Sequence, residues 1–162
     1  MSVRLAAAIA VACLLAAPGV SHAQPLTERN VSAHMALTIA TTALDQCGWH
    51  TSVAVVDRTG RLRIFIQGDG AAPHNLELAR RKAYTANTFG RTSLEWAKRT
   101  EPGGNTPGQR ALSEVIPLQG GTPIKIGNET IGAVGLSGAP NGGQQEEDCG
   151  KAGIAKVADQ LK

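Results

Sequence analysis

The chain has 162 residues, 42% of them apolar, enough for one domain with a real core. A net charge of +3 is too weak to argue for nucleic acid, and two Trp, two Phe and one Tyr are too few for base-stacking platforms. Its three cysteines form no CxxC and match no zinc spacing.

Residues 1–23 read as a secretory signal peptide. Arg4 is the positive n-region, Leu5 to Ala17 the apolar h-region, and Ser21-His22-Ala23 a small-x-small cleavage site before Gln24. The h-region is roughly 13 residues, short of the roughly 20 that a membrane span needs. Ala10-Val11-Ala12 is a poor lipobox for Cys13, and the apolar run continues past it. An uncleaved anchor is the competing reading. Cleavage would remove Arg4 and no acid, leaving a weakly basic single domain over 24–162. That domain is expected in the periplasm or the medium, with no stretch left that could cross a membrane.

Thr27 to Asp45 predicts a helix. Val31, Met35, Ala36, Ile39, Ala40 and Ala43 fall on one side, and Asn30, His34, Thr38, Thr41 and Asp45 on the other. His34 is therefore expected on a solvated face, and Gly48 stops the helix. His50 falls in the connection that follows and reads as incidental. Cys47 closes this helix and Cys149 opens the last one. In an oxidising compartment the two can form a disulfide, or they can remain separate buried thiols.

Two apolar runs, Val53–Val56 and Leu62–Ile66, flank Asp57-Arg58-Thr59-Gly60 and predict a tight hairpin closed by glycine. Gly68-Asp69-Gly70 turns the chain again, and Pro73 suits a first helical turn. Leu76, Ala79, Ala83 and Ala86 then predict one apolar helix stripe, with Arg80, Arg81 and Lys82 projecting from the rest. Thr92 to Arg99 predicts a short helix, and Glu101 to Arg110 a loop rich in Gly, Pro, Asn and Thr. Val115–Leu118, interrupted by Pro117, reads as a short edge strand. Gly120-Gly121 offers room for a ligand or for close backbone contact. Thr122–Ile126 and Thr130–Ser137 flank a second hairpin turn at Gly127-Asn128-Glu129. Gly132 and Gly135 imply that a helix or a ligand packs close to that strand. The last helix is expected from about Gln144 to Leu161, with Ile154, Val157, Ala158 and Leu161 as its buried stripe. Glu146, Glu147 and Asp148 complement the positive end of its dipole. Hairpin-linked neighbours imply an α+β domain with helices against an antiparallel sheet.

No GxSxG elbow, Walker motif or GxGxxG is present, so hydrolase and nucleotide-binding readings have no support. The ordered elements VAVVD-x-x-G, GDGA, ARRKAYTA, GGTP and GAVGLSGAP resemble the GlcG/HbpS family of haem-binding proteins and are similar to the C-terminal domain of PduO-type adenosyltransferases. The resemblance implies a profilin-like α/β/α sandwich with a roughly five-stranded antiparallel sheet, a homo-oligomer, and haem of b type as the cofactor. It makes His74 the first candidate for the iron, with Arg80, Arg81 and Lys82 as candidate partners of the propionates. Tyr84 and Thr92 are further oxygen donors. The bland alternatives are a capping or surface role for His74 and a solvated basic helix face. The sequence departs from the HbpS branch in one respect: no two acids stand three residues apart, so an ExxE iron motif is missing. The preferred expectation is an exported protein that sequesters, carries or slowly degrades haem. The alternatives are an enzyme or accessory protein holding a small organic acid, and a ligand-free structural subunit.

Overall fold

Ser32 sets where the first helix begins. Its hydroxyl accepts the Met35 amide at 3.1 Å, and helix α1 runs over Ala33–Cys47. The start expected at Thr27 is displaced because the Asn30 side-chain oxygen is drawn elsewhere. It accepts the amides of Val31 at 2.9 Å and Arg58 at 3.0 Å, tying an extended segment to the first hairpin turn. The structure, a computed structural model, describes residues 23–162. The expected signal segment up to His22 lies outside the described residues.

Strands β1 (Ser52–Asp57) and β2 (Leu62–Ile66) form the expected hairpin. The Asp57 carboxylate accepts the amides of Thr59 and Arg61 and the Thr59 hydroxyl, and Gly60 takes φ +80° to close the turn. Helix α2 (Asn75–Phe89) and the short helix α3 (Ser93–Arg99) follow. The second hairpin joins β3 (Gly121–Ile126) to β4 (Glu129–Ser137). The sheet has four strands in the order β2-β1-β4-β3, all antiparallel.

The α+β class and antiparallel sheet hold, but four strands replace the expected five. The missing strand is Val115–Leu118. Pro117 cannot donate to a ladder, and α2 captures this backbone instead. The Arg81 guanidinium donates to the Val115 carbonyl at 2.6 Å, and the Ile116 amide donates to the Thr85 hydroxyl at 2.9 Å.

Alternation along β1 divides the core. Val53 and Val55 join Ile39, Leu44, Val134 and Leu136 in the cluster beneath α1 and α4, helix α4 spanning Gly143–Ala155. Val56 and Ala133 face Ala83 and Ala86 of α2 on the other side. There the helix lies against bare backbone: a Cβ on Gly135 would stand 2.2 Å from the Ala79 carbonyl oxygen. A Cβ on Gly132 would meet the Val31 side chain at 2.5 Å. Packing, not a ligand, accounts for both glycines. Leu76, expected on the buried stripe, is 47% exposed. Helix α4 ends at Ala155, and a 3-10 turn over Ala158–Gln160 replaces its expected continuation to Leu161.

The open alternative for the cysteines closes on a disulfide. Cys47 and Cys149 are bonded, with Cα atoms 5.7 Å apart, joining the end of α1 to α4. Among the described residues, no helix is long and apolar enough to cross a membrane.

Candidate functional site

Helix α2 carries most of the candidate residues, and its first turn is anchored from below. Asn75 is buried, and its side-chain oxygen accepts the Ser137 hydroxyl at 3.1 Å. A Cβ on Gly138 would stand 2.5 Å from the Asn75 amide nitrogen, so this part of the GLSGAP segment exists to seat the helix start. His74, one residue earlier, occupies the N-cap position and is exposed. Its side chain makes no capping hydrogen bond, which removes the capping role as an explanation. The imidazole is a free donor or ligand on a fixed backbone.

Three consecutive basic residues then meet three different fates, because a helix turns about 100° per residue. Arg80 pairs with Glu114, and the Arg80 hydrogen bond and charge hold the Glu114 carboxyl below the usual carboxylate range. Arg81 pairs with Glu77 at 2.9 Å and donates to the Val115 carbonyl. Both guanidiniums stay partly exposed. Lys82 points into the protein. Its ammonium, 6% exposed at the side chain, donates to Glu146 at 2.6 Å and to the Leu136 carbonyl at 3.0 Å. The expectation of one basic face fails at Lys82, whose role as a propionate partner would require breaking a buried pair.

Glu146 completes the arrangement by accepting the Gly138 amide at 2.9 Å. Gly120 makes room for the pair: a Cβ there would stand 2.3 Å from a Glu146 carboxylate oxygen and 3.1 Å from the Lys82 Cδ. The Gly120-Gly121 turn therefore serves close packing. Glu147 is also buried, and burial pushes its carboxyl up. Of the three acids only Glu146 lies in the first turn of α4, so a dipole account covers one residue of three, and that one is buried against Lys82. Sequence reasoning missed this cluster. The available signal was the helical period, which cannot place 146, 147 and 148 all in solvent on a helix packed against a sheet.

The remaining candidates lie apart. Tyr84 is half-buried against the first hairpin, with its ring where a Cβ on Gly60 would meet it at 2.7 Å. Thr92 caps α3, accepting the Glu95 amide at 3.2 Å while the Glu95 carboxylate accepts the Thr92 amide at 2.8 Å. His34 is exposed on the polar side of α1, as expected.

A haem needs an axial donor, cations for two propionates and apolar cover. The chain supplies the free imidazole of His74 at the start of α2 and, about two turns further along, the partly exposed guanidiniums of Arg80 and Arg81. These fit the group in kind, but Leu76 stands about 200° round the helix from His74, so apolar cover is not supplied beside the imidazole. A pocket of about 550 Å³ lies elsewhere, lined by Gln46, Asn141, Gln144, Gln145, Asp148, Cys149 and Ala152. Amides and an acid do not suit a dianionic porphyrin edge.

The family profile described as haem degrading protein HbpS-like matches residues 30–155. No curated protein matches the chain. Among solved structures, a double mutant of HbpS from Streptomyces reticuli is similar at 32% identity, covering 94% of this chain and 97% of its own, with a TM-score of 0.72. HbpS itself is 33% identical over 87% of this chain and 97% of its own, with a TM-score of 0.71. A crystal structure of PduOC in complex with haem shares the fold at 24% identity, 78% and 94% coverage and a TM-score of 0.70.

Proposed function

The chain belongs to the HbpS-like family of haem-degrading proteins, and from that premise we propose that it is an exported haem-binding protein that sequesters, carries or slowly degrades haem. The observation that carries the reading is the uncommitted imidazole of His74 on the anchored first turn of α2, followed along the helix by two partly exposed guanidiniums. The PduOC structure, with the same fold and haem bound, supports the cofactor class.

In this reading His74 is the axial donor to a b-type haem, and Arg80 and Arg81 pair with the propionates. Lys82 holds the helix in place instead of touching the ligand. Bound haem supplies the redox and oxygen chemistry, and the chain orients the ring and shields it. Shielding is incomplete on one chain, because α2 offers a single wall. A second copy would supply the other, and the free edge of the sheet at β2, where Leu62 is 44% exposed, suits such an assembly.

The test is a hemin titration of purified protein beginning at Gln24, run beside His74→Ala. Saturable growth of a shifted Soret band is expected. His74→Ala should weaken affinity at least about tenfold, because second-shell losses at metal sites already reach that size. Absence of any Soret change in the unmodified protein overturns the haem reading. An unchanged spectrum and affinity in His74→Ala overturns the ligand assignment. Tyr84 is then the better remaining donor, since the Thr92 hydroxyl is engaged in its cap. Export predicts an intact mass beginning at Gln24, and assembly predicts light scattering above the monomer mass.

A further inference from the structure

The end of α1 and the start of α4 flank a cleft. The pocket of about 550 Å³ takes Gln46 from the last turn of α1, Asn141 from the loop before α4, and Gln144, Gln145 and Asp148 from the first turns of α4. A covalent bond ties these walls. Cys47, next to Gln46, is bonded to Cys149, which itself lines the pocket, and their Cα atoms stand 5.7 Å apart. Walls joined in this way are preorganised, so little order is lost on binding. The volume falls within the roughly 300–1,000 Å³ of small-molecule sites.

The polar groups of the lining divide into fixed and free. Gln144 is fixed at both ends of its carboxamide. Its Nε2 donates to the two Asp148 carboxylate oxygens at 3.1 and 3.3 Å, and its Oε1 accepts the Gln119 Nε2 at 3.1 Å. Gln145 is held at one end only: its Oε1 accepts the Asn141 backbone amide at 2.9 Å, and its Nε2 has no acceptor among the described residues. The side-chain carboxamides of Gln46 and Asn141 make no hydrogen bond among the described residues, and both residues are exposed. Each free carboxamide presents a donor and an acceptor side by side. Water fills such positions, and a ligand hydroxyl replaces water in kind.

Charge narrows the ligand. Asp148 is the one acid of the lining, and the Lys151 ammonium stands 3.6 Å from it. An anion would meet the carboxylate, and a cation would find it shared with Lys151 and Gln144. A hydroxyl donates and accepts at the same atom, so it can serve carboxamides and carboxylate alike. Cys149 and Ala152 add apolar surface, which suits the C–H face of a ring. We infer that the cleft between α1 and α4 binds a small uncharged polyhydroxyl ligand of the saccharide class. Gln46, Asn141 and the Gln145 Nε2 hydrogen-bond its hydroxyls, and Asp148, oriented by Gln144, accepts from them. The site uses none of the candidate haem residues and stands or falls separately from the haem reading.

The experiment is a titration of isotope-labelled protein beginning at Gln24 with glucose, maltose and trehalose separately, read by amide NMR. A blocked neutral dipeptide, sodium acetate and ammonium chloride are titrated beside them. Saturable shifts of the Gln46, Asn141 and Gln145 side-chain amide resonances are expected with at least one saccharide. Gln46→Ala and Asn141→Ala, both at exposed positions, should each weaken that binding severalfold, the scale of one net hydrogen bond. Both should leave the hemin titration as it is in the unmodified protein. Gln160→Ala, exposed and outside the pocket, should change nothing. No saturable response to any of the three saccharides overturns the proposal. A response to the dipeptide or to either salt without one to a saccharide overturns the ligand class. Saccharide binding of equal strength in Gln46→Ala and Asn141→Ala overturns the location.

Discussion

The two faces of the sheet are built differently. Beneath α1 and α4 the core is made of large aliphatic side chains, among them Ile39, Leu44, Val53, Val55, Ile131 and Leu136, and the Cys47–Cys149 disulfide binds the two helices together. Beneath α2 the core is Val56, Ala83, Ala86 and Ala133, with Gly135 bringing helix backbone onto strand backbone. Little apolar area is available to hold α2, so polar anchors take a larger share: Asn75 on Ser137, and Lys82 on Glu146 and Leu136. The helix that bears the candidate haem residues is fixed by specific hydrogen bonds more than by bulk burial. Its outer charges are exposed and exchangeable, whereas its inner charge is not.

The sharpest way to break this contrast is to remove one half of the buried pair. Lys82→Met leaves Glu146 charged and buried, and should cost about 3–5 kcal/mol in a denaturant titration. Lys82→Met with Glu146→Leu removes both charges and should recover much of that loss. A single substitution costing under about 1 kcal/mol, the scale of a surface pair, would mean that α2 does not depend on the anchor.

The opposite face responds to redox chemistry. Cys47→Ala with Cys149→Ala should lower stability by about 2–4 kcal/mol, because the bond spans 102 residues of chain. Hemin affinity should hold in the folded variant, since the loss falls on the face away from His74. A parallel loss of haem binding would show that the faces are coupled through α4, which carries both Cys149 and Glu146.

Much of the fold was legible because its signals are local. The Asp57–Gly60 turn carries its own chemistry in one carboxylate and one glycine, and the β1 run reads continuously apolar because both its faces are covered. Val115–Leu118 misled because its fate depends on Arg81 and Thr85, which lie more than thirty residues earlier in the chain. The Lys82–Glu146 pair joins residues 64 positions apart, and no periodicity announces such a contact. The position of His74 at a helix start was readable from Gly68–Pro73. That its imidazole stands free, while Lys82 turns inward, became visible only with the helix docked.

The smallest expected effect concerns the outer charges. Arg80 is paired with Glu114, whose side chain is 45% exposed and whose carboxyl is held down, first by the Arg80 hydrogen bond and then by its charge. A carboxyl lowered in the folded state stabilises the protein above its unfolded pKa, and that contribution disappears as pH falls through the folded value. Solvent screening limits it to about 0.5 kcal/mol. An acid titration should therefore show a slightly shallower loss of stability for Glu114→Gln than for the unmodified chain, confined to the region below about pH 4.3. The informative readout is at neutral pH. If Glu114 and a propionate compete for the same guanidinium, Glu114→Gln frees Arg80 and should tighten hemin binding severalfold, with the gain shrinking at high salt. Weaker binding in that variant would reverse the reading: Glu114 would then be the residue that aims Arg80 at the ligand, and the outer face of α2 would be as firmly ordered as the inner one.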